Sequence, residues 1–231
     1  MVAELFLSGR EISLIFIPLQ TQQRMSSKAT FLLSIFTIVL LSVSCQKPAT
    51  KSGGWVTLFD GKSLDGWKAS ENPPTFSVSD GMIIVYGERA HLFYMGPVGN
   101  HNFKNFEFKA KVMTTPGSNS GMFFHTEYQE TGWPKKGYEV QVNATHSDWR
   151  KTSSIYAVQD IKEAAHKDDE WFTQHIIVQG KKITVLVNDK VINEYTEGSE
   201  GRLSSGTIAL QGHDPKSKVY YKDVMVKLLP D

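Results

Sequence analysis

From Trp55 onward the chain repeats one pattern: short runs of alternating apolar and polar residues, each closed by glycine, asparagine or aspartate. The runs are "WVTLF", "TFSV", "MIIVYG", "HLFYM", "NFEFKAKVMT", "GMFFHTEY", "GYEVQVN", "SSIYAV", "WFTQHIIVQ", "KITVLVN", "KVINEYT", "GTIALQG" and "VYYKDVMVKLL". Between them lie "SDG", "TPGSNSG", "QGKK", "VNDK" and "GSEGRLSSG". A period of two places alternate side chains on opposite faces of a strand, and many such runs at regular spacing cannot be absorbed by a helical fold. The pattern predicts an all-β antiparallel fold, a sandwich or jelly roll. The clearest hairpin is "KITVLVNDKVINEYT", where Asn188-Asp189 supplies a two-residue turn between alternating runs. Only "DIKEAAHKDDEW" lacks β character and is expected to be a loop or a single helical turn.

The first part of the chain reads differently. "MSSKATFLLSIFTIVLLSVSCQK" starts at Met25 with a basic Lys28, continues through an apolar run over Phe31–Leu41, and ends in small residues before Cys45. That order describes an export signal with a lipidated cysteine, so residues 1–44 are expected to be a signal region with its true start at Met25. The apolar run is short for the ~20 residues of a membrane span. "QKPATKSGG" then forms a polar tether over 45–54, and residues 55–231 form the folded domain. The expected location is the bacterial cell envelope, periplasm or cell surface, with the membrane touched only through lipid on Cys45. Because Cys45 is the one cysteine, a disulfide within the chain and a cysteine-rich zinc site are both excluded. A formal net charge of +1 over 231 residues gives no basic footprint for nucleic acid.

The alternation also assigns faces. In "SGMFFHTEY", Met122, Phe124 and Thr126 share one face, and Phe123, His125 and Glu127 the other. In "GYEVQVN", Tyr138, Val140 and Val142 oppose Glu139, Gln141 and Asn143. In "GTIALQGHD", Ile208 and Leu210 oppose Thr207, Ala209, Gln211 and His213. The apolar sets suit the space between two sheets. The polar sets then share an outer face rich in His, Gln and Asn, side chains suited to hydrogen-bonding hydroxyls or ligating a metal ion. Trp133 and Trp149 lie in the loops flanking "GYEVQVN", where an indole can stack on a sugar ring.

"GWVTLFDGKSLDGWK", "FSVSDGMIIVYGE", "FKNFEFKAKV", "SNSGMFFHTE", "GYEVQV", "DDEWFTQHIIVQGKKITVLVND" and "GTIALQGHD…VYYKDVMVK", in this order from Trp55 to Leu229, resemble a bacterial secreted family described as 3-keto-disaccharide hydrolases, or 3-keto-glucoside 1,2-lyases and 2-hydroxy-glucal hydratases. The resemblance implies a jelly roll of the concanavalin-like lectin and glucanase type, with sugar chemistry on its concave face. Carried over residue by residue, the family's polar strand positions fall on Glu139, Gln141, Gln211 and His213, with Asn119 of "NSG" in the same set. At His125 this chain departs from the arginine that many members carry.

A ketone at C3 of a glycoside acidifies the C2 proton, and its loss expels the C1 oxygen. Such an elimination needs a base near C2, electrophilic help at the C3 oxygen and an acid for the leaving group. His125, Glu139 and His213 are the expected catalytic residues. The same three are the candidate ligands of a divalent metal ion that would stabilise the enolate. Asn119, Glu127, Gln141, Asn143, Trp133, Trp149 and Gln211 are the expected substrate contacts, and a 3-keto-glycoside is the expected substrate. A conventional glycosidase would want two carboxylates, which Glu127 and Glu139 could supply. A non-catalytic carbohydrate-binding module on the same face is the alternative, and a surface-anchored structural domain the plainest one.

Overall fold

A computed structural model describes residues 53–199 and 201–231. The signal region, Cys45 and most of the tether lie outside the described residues. Thirteen strands follow one another: β1 (Val56–Thr57), β2 (Trp67–Ala69), β3 (Phe76–Ser79), β4 (Met82–Tyr86), β5 (Ala90–Tyr94), β6 (Phe106–Thr114), β7 (Ser120–Thr126), β8 (Tyr138–Val142), β9 (Phe172–Gln179), β10 (Lys182–Val187), β11 (Lys190–Thr196), β12 (Thr207–Gly212) and β13 (Lys218–Leu228). Among the described residues no helix is long and apolar enough to cross a membrane.

The strands form two antiparallel sheets, the expected jelly-roll sandwich. The larger has eight strands in the order β11-β10-β9-β6-β13-β4-β3, with β1 added along β13. The smaller has five, in the order β2-β5-β12-β7-β8. Asn188 and Asp189 both adopt positive φ, 48° and 63°, and close the β10–β11 hairpin as the sequence predicts. Phe106, Phe108, Met122, Phe124, Val140 and Leu210 all lie fully buried between the sheets, so the alternation assigned the inner faces correctly.

Three features depart from the expected pattern. "SSIYAV" is not a strand. Ser153 and Ala157 have positive φ, 74° and 57°, and the segment instead straps the open edge of β8. Thr152 N–H donates to Asn143 O, Ser153 N–H to Gln141 O and Tyr156 N–H to Glu139 O, while Gln141 N–H donates to Ser154 O. An otherwise unpaired edge is thereby covered. Second, β7 carries a bulge. Thr207 pairs with Thr126 and Ala209 with Phe123, so two residues of β7 face one of β12, and His125 takes φ 52°. An inserted residue shifts the alternation beyond it to the other face. Third, "WVTLF" supplies only the two-residue β1. The Trp55 ring meets His175 of β9 at 5.4 Å between centroids, with Lys109 Nζ 3.8 Å above the indole. His175 also bonds Glu107, at 3.0 Å, on the outer surface of the larger sheet.

Candidate active site

The outer face of the smaller sheet carries the site, and strand register places its members. Gln211 of β12 pairs with His91 of β5, while Gln141 of β8 pairs with Gly121 of β7. In the next row, Phe93, Ala209 and Phe123 make a small apolar patch with Met95 and Tyr128 against it. Glu139 is the cross-strand partner of Phe123, yet its carboxyl leans over Gly121, where an added Cβ would collide with Oε1. Glycine is the residue that leaves room for this approach. The lean brings Glu139 to Gln211, whose Nε2 donates to Oε1 at 2.9 Å. With its amide oriented to satisfy its neighbours, Gln141 also donates to Oε1, at 3.0 Å, and to Ser120 O at 3.2 Å.

Two N–H groups on Oε1 and no cation beside it define the chemistry of Glu139. Burial pushes its pKa up to about 8, against the opposing hydrogen bond from Gln211, and the charge of Asp148 adds to the rise. The group is therefore a neutral acid at physiological pH. Since Oε1 accepts both amides, the proton belongs on Oε2.

His213 follows β12 and is tied at Nδ1 to Asp214 Oδ2, at 2.7 Å. In the neutral ring this bond selects the tautomer with the proton on Nδ1 and the lone pair on Nε2. Burial alone would raise Asp214, but hydrogen bonds from His213, the Lys216 amide and Ser217 outweigh it and hold it at about 2. His146 stands edge-on to His213, with ring centroids 5.3 Å apart, and its Nδ1 accepts the Asp148 amide at 3.1 Å. Asn119 Nδ2 lies 3.3 Å from the same nitrogen. Of these, Asn119 and His213 border a cavity of about 320 Å³ also lined by Phe123, Trp133, Glu139, Gln141 and Gln211, with Tyr156 and Arg202 at its wall. Trp133 is 45% exposed and faces His213 at 5.5 Å.

Of the residues that the sequence nominated, Glu139, Gln141, Gln211, His213, Asn119 and Trp133 converge here. His125 does not. The β7 bulge turns its ring against Phe106 and Phe124, with centroids at 5.6 and 5.4 Å. Its Nε2 bonds Lys104 O and its Nδ1 accepts Ser204 N–H, so it ties two loops together and has no free nitrogen for a base or a ligand. Glu127 is exposed, 3.7 Å from Lys136, beside a separate depression; the carboxylate pair with Glu139 is not formed. Asn143 is buried and shapes the loop that carries His146. Its amide donates to Asp148 O and Arg150 O, and its Oδ1 accepts His146 N–H. Trp149 is half exposed beneath Arg150 and outside the cavity. Candidate metal ligands shift as well. Instead of His125, Glu139 and His213, the set among the described residues whose ligand atoms lie within 4.8 Å of one another is His146, His213 and Asp214.

Sequence reasoning missed His146, Asp214, His91, Tyr156 and Arg202. Asp214 stood next to His213 in "GHD" and was a readable His-Asp pair. Tyr156 was hidden by reading "SSIYAV" as a strand.

Known proteins share this architecture. A protein of Parabacteroides distasonis assigned as a glycosyl hydrolase superimposes with a TM-score of 0.65 at 25% identity, over 77% of this chain and 94% of that one. A carbohydrate-binding module, CBM66 of Bacillus subtilis, shares the fold with a TM-score of 0.54 at 10% identity, over 70% of this chain and 95% of the module. The 3-keto-disaccharide hydrolase of Bacteroides thetaiotaomicron is 27% identical over 170 residues, which span 62% of this chain and 58% of that relative. The family model described as the 3-keto-alpha-glucoside-1,2-lyase-like domain matches residues 54–227, nearly the whole of the sandwich and every residue of the site, and the chain belongs to that family.

Proposed function

We propose that this chain cleaves 3-keto-glycosides by elimination across C1 and C2, with His213 as base and Glu139 as acid. The single observation that carries the reading is the pairing of a neutral carboxylic acid, proton outward on Oε2, with a histidine whose Nδ1 is held by a carboxylate. His213 Nε2 removes the C2 proton, made acidic by the C3 ketone. The electron pair forms the C2–C3 enolate and then the C1–C2 double bond as the C1–O bond breaks. Glu139 Oε2–H protonates the departing oxygen. Asn119, beside His213 and within 3.3 Å of His146, forms the polar side of the pocket toward which the C3 oxygen would turn. With its proton gone, Glu139 can deprotonate water for addition at C1, and His213 returns a proton to C2; the two halves sum to hydrolysis. An oxocarbenium route would instead use a paired carboxylate at Glu127, which lies elsewhere.

The test is turnover of a panel of 3-keto-glucosides and their unoxidised parents in D2O. The expected result is aglycone release from the keto forms alone, with deuterium at C2 of the sugar product. Cleavage of unoxidised glycosides at a similar rate would overturn it.

A second reading is favoured by the close spacing of His146, His213 and Asp214. These residues would hold a divalent cation, at the cost of the Asp148 amide bond to His146 Nδ1. When bound it would supply Lewis-acid polarisation of the C3 oxygen. On this reading chelation removes activity, and calorimetric titration with Mn²⁺ or Zn²⁺ shows a site that His146→Ala abolishes. Full activity after exhaustive chelation leaves the His213–Asp214 base alone.

A further inference from the structure

Beside the cavity lies a polar group that the proposed chemistry does not use. His91 of β5 is fully buried, and both its ring nitrogens lack a hydrogen-bond partner. The Oε1 atom of Gln211, its cross-strand neighbour, is also buried and unpartnered. A buried imidazole with no partner forfeits the hydrogen bonds it would make in water, and such groups in native folds call for a reason. Burial lowers the His91 pKa to about 4, so the ring is neutral and offers one donor and one acceptor. Together with Gln211 Oε1 it presents the mixed pattern that a sugar's hydroxyls match.

What covers His91 is a loop tip and not core. Its ring meets Trp133 edge-on at 5.6 Å and Phe123 at 5.2 Å. The tip carrying Trp133 is held to the sheet by few bonds. Gly132 N–H donates to Glu71 Oε2 at 3.1 Å, and the Arg89 guanidinium lies 5.3 Å from the indole centroid. Glu71 and Arg89 are themselves an ion pair at 2.9 Å. Near the surface such polar contacts contribute little, so the tip is held chiefly by the packing of Trp133 on the rings of His91 and His213.

The cavity can grow in one direction along the sheet. Its volume of about 320 Å³ is at the small end for ligand pockets of ~300–1,000 Å³. Toward β8 the strap over 152–156 closes it, with Tyr156 at the wall. Toward β5, the Trp133 tip lies over His91. We propose that His91, Gln211 and Phe123 form a second sugar subsite beneath Trp133, which lifts to admit the departing ring of a two-ring substrate. This inference rests on the proposed cleavage of 3-keto-glycosides and assigns the residues that hold the leaving ring. His91 acts there as a specificity-determining residue, hydrogen-bonding hydroxyls of the ring that leaves.

His91→Phe keeps a flat ring and removes both nitrogens; His91→Gln keeps a donor and an acceptor. The measurement is kcat/KM on a 3-keto-disaccharide and on a methyl 3-keto-glucoside. The expected result for His91→Phe is a fall of about tenfold or more in the preference for two rings over one, with partial recovery in His91→Gln. Its melting temperature should equal or exceed that of the wild type, because an unpartnered buried polar group has gone. An unchanged preference in a folded His91→Phe protein overturns the subsite. If the wild type turns over neither substrate, the cleavage reading fails separately. Calorimetric titration with cellobiose, maltose and trehalose against methyl glucoside then decides the subsite. Tighter two-ring binding that His91→Phe removes supports it, and no two-ring advantage in the wild type overturns it.

Discussion

Glu139→Gln lowers kcat on a 3-keto-glycoside by about 10²–10⁴-fold, the range for removing a positioned general acid, while the protein stays folded. Glutamine matches the neutral acid in shape, so the contacts at Oε1 are kept and only the transferable proton is lost. The pH dependence carries a second signature. Folding raises this carboxyl from the ordinary 4.5 to about 8, so between those values the folded chain holds a proton that the unfolded chain has released. Wild-type stability therefore falls as pH rises from about 4.5 to 8, and Glu139→Gln removes that part of the slope. Activity that needs the acid form declines as pH passes about 8. Chemical denaturation at a series of pH values, beside kcat at the same values, checks both. Retained activity in Glu139→Gln, or identical stability slopes in the two proteins, would contradict the assignment of Glu139 as the acid.

Phe124→Ala costs about 3–5 kcal/mol of stability, as for a buried aromatic cut to alanine. Phe124 is fully buried, stacks on Tyr138 at 5.6 Å and meets Phe106 at 5.9 Å. It also lies in the β7 bulge, so its loss loosens the packing that fixes His125. Urea unfolding monitored by tryptophan fluorescence measures the effect. A loss below about 0.5 kcal/mol, as at a surface position, would mean that the inner face of β7 is misassigned.

The sandwich was legible because β alternation is local: each run of β3 to β13 announces its own inner face. What failed was decided elsewhere in the chain. "SSIYAV" alternates like a strand, but Ser153 and Ala157 turn left-handed because the segment bonds to the edge of β8. His125 sits in a run that predicts an outward side chain. Its bulge exists only in the register between β7 and β12. Gly137 and Gly206 crowd its carbonyl carbon so closely that an added Cβ would stand 2.7 and 2.6 Å away. Those two glycines are the sequence trace of the bulge, but each is distant from His125 along the chain or lies across a turn from it. Glu139, Gln141, Gln211 and His213 were legible since they lie on regular parts of β8 and at the end of β12. His91 was not, because one histidine in an apolar run looks like core until Trp133 is seen above it.

The entry of the chain into the sandwich has a mechanical consequence. Trp55 is clamped between Lys109 and His175, and β1 zips onto β13, all on the larger sheet. The strands bearing His91, Gln211, Glu139 and His213 belong to, or end, the other sheet. A pull on the chain at residue 54 is thus taken up by an indole set edge-on to His175 and a two-residue ladder, and must cross the apolar core to reach the pocket. Those few contacts act as a fuse: they give way first, and the geometry between Glu139 and His213 is insulated from the load.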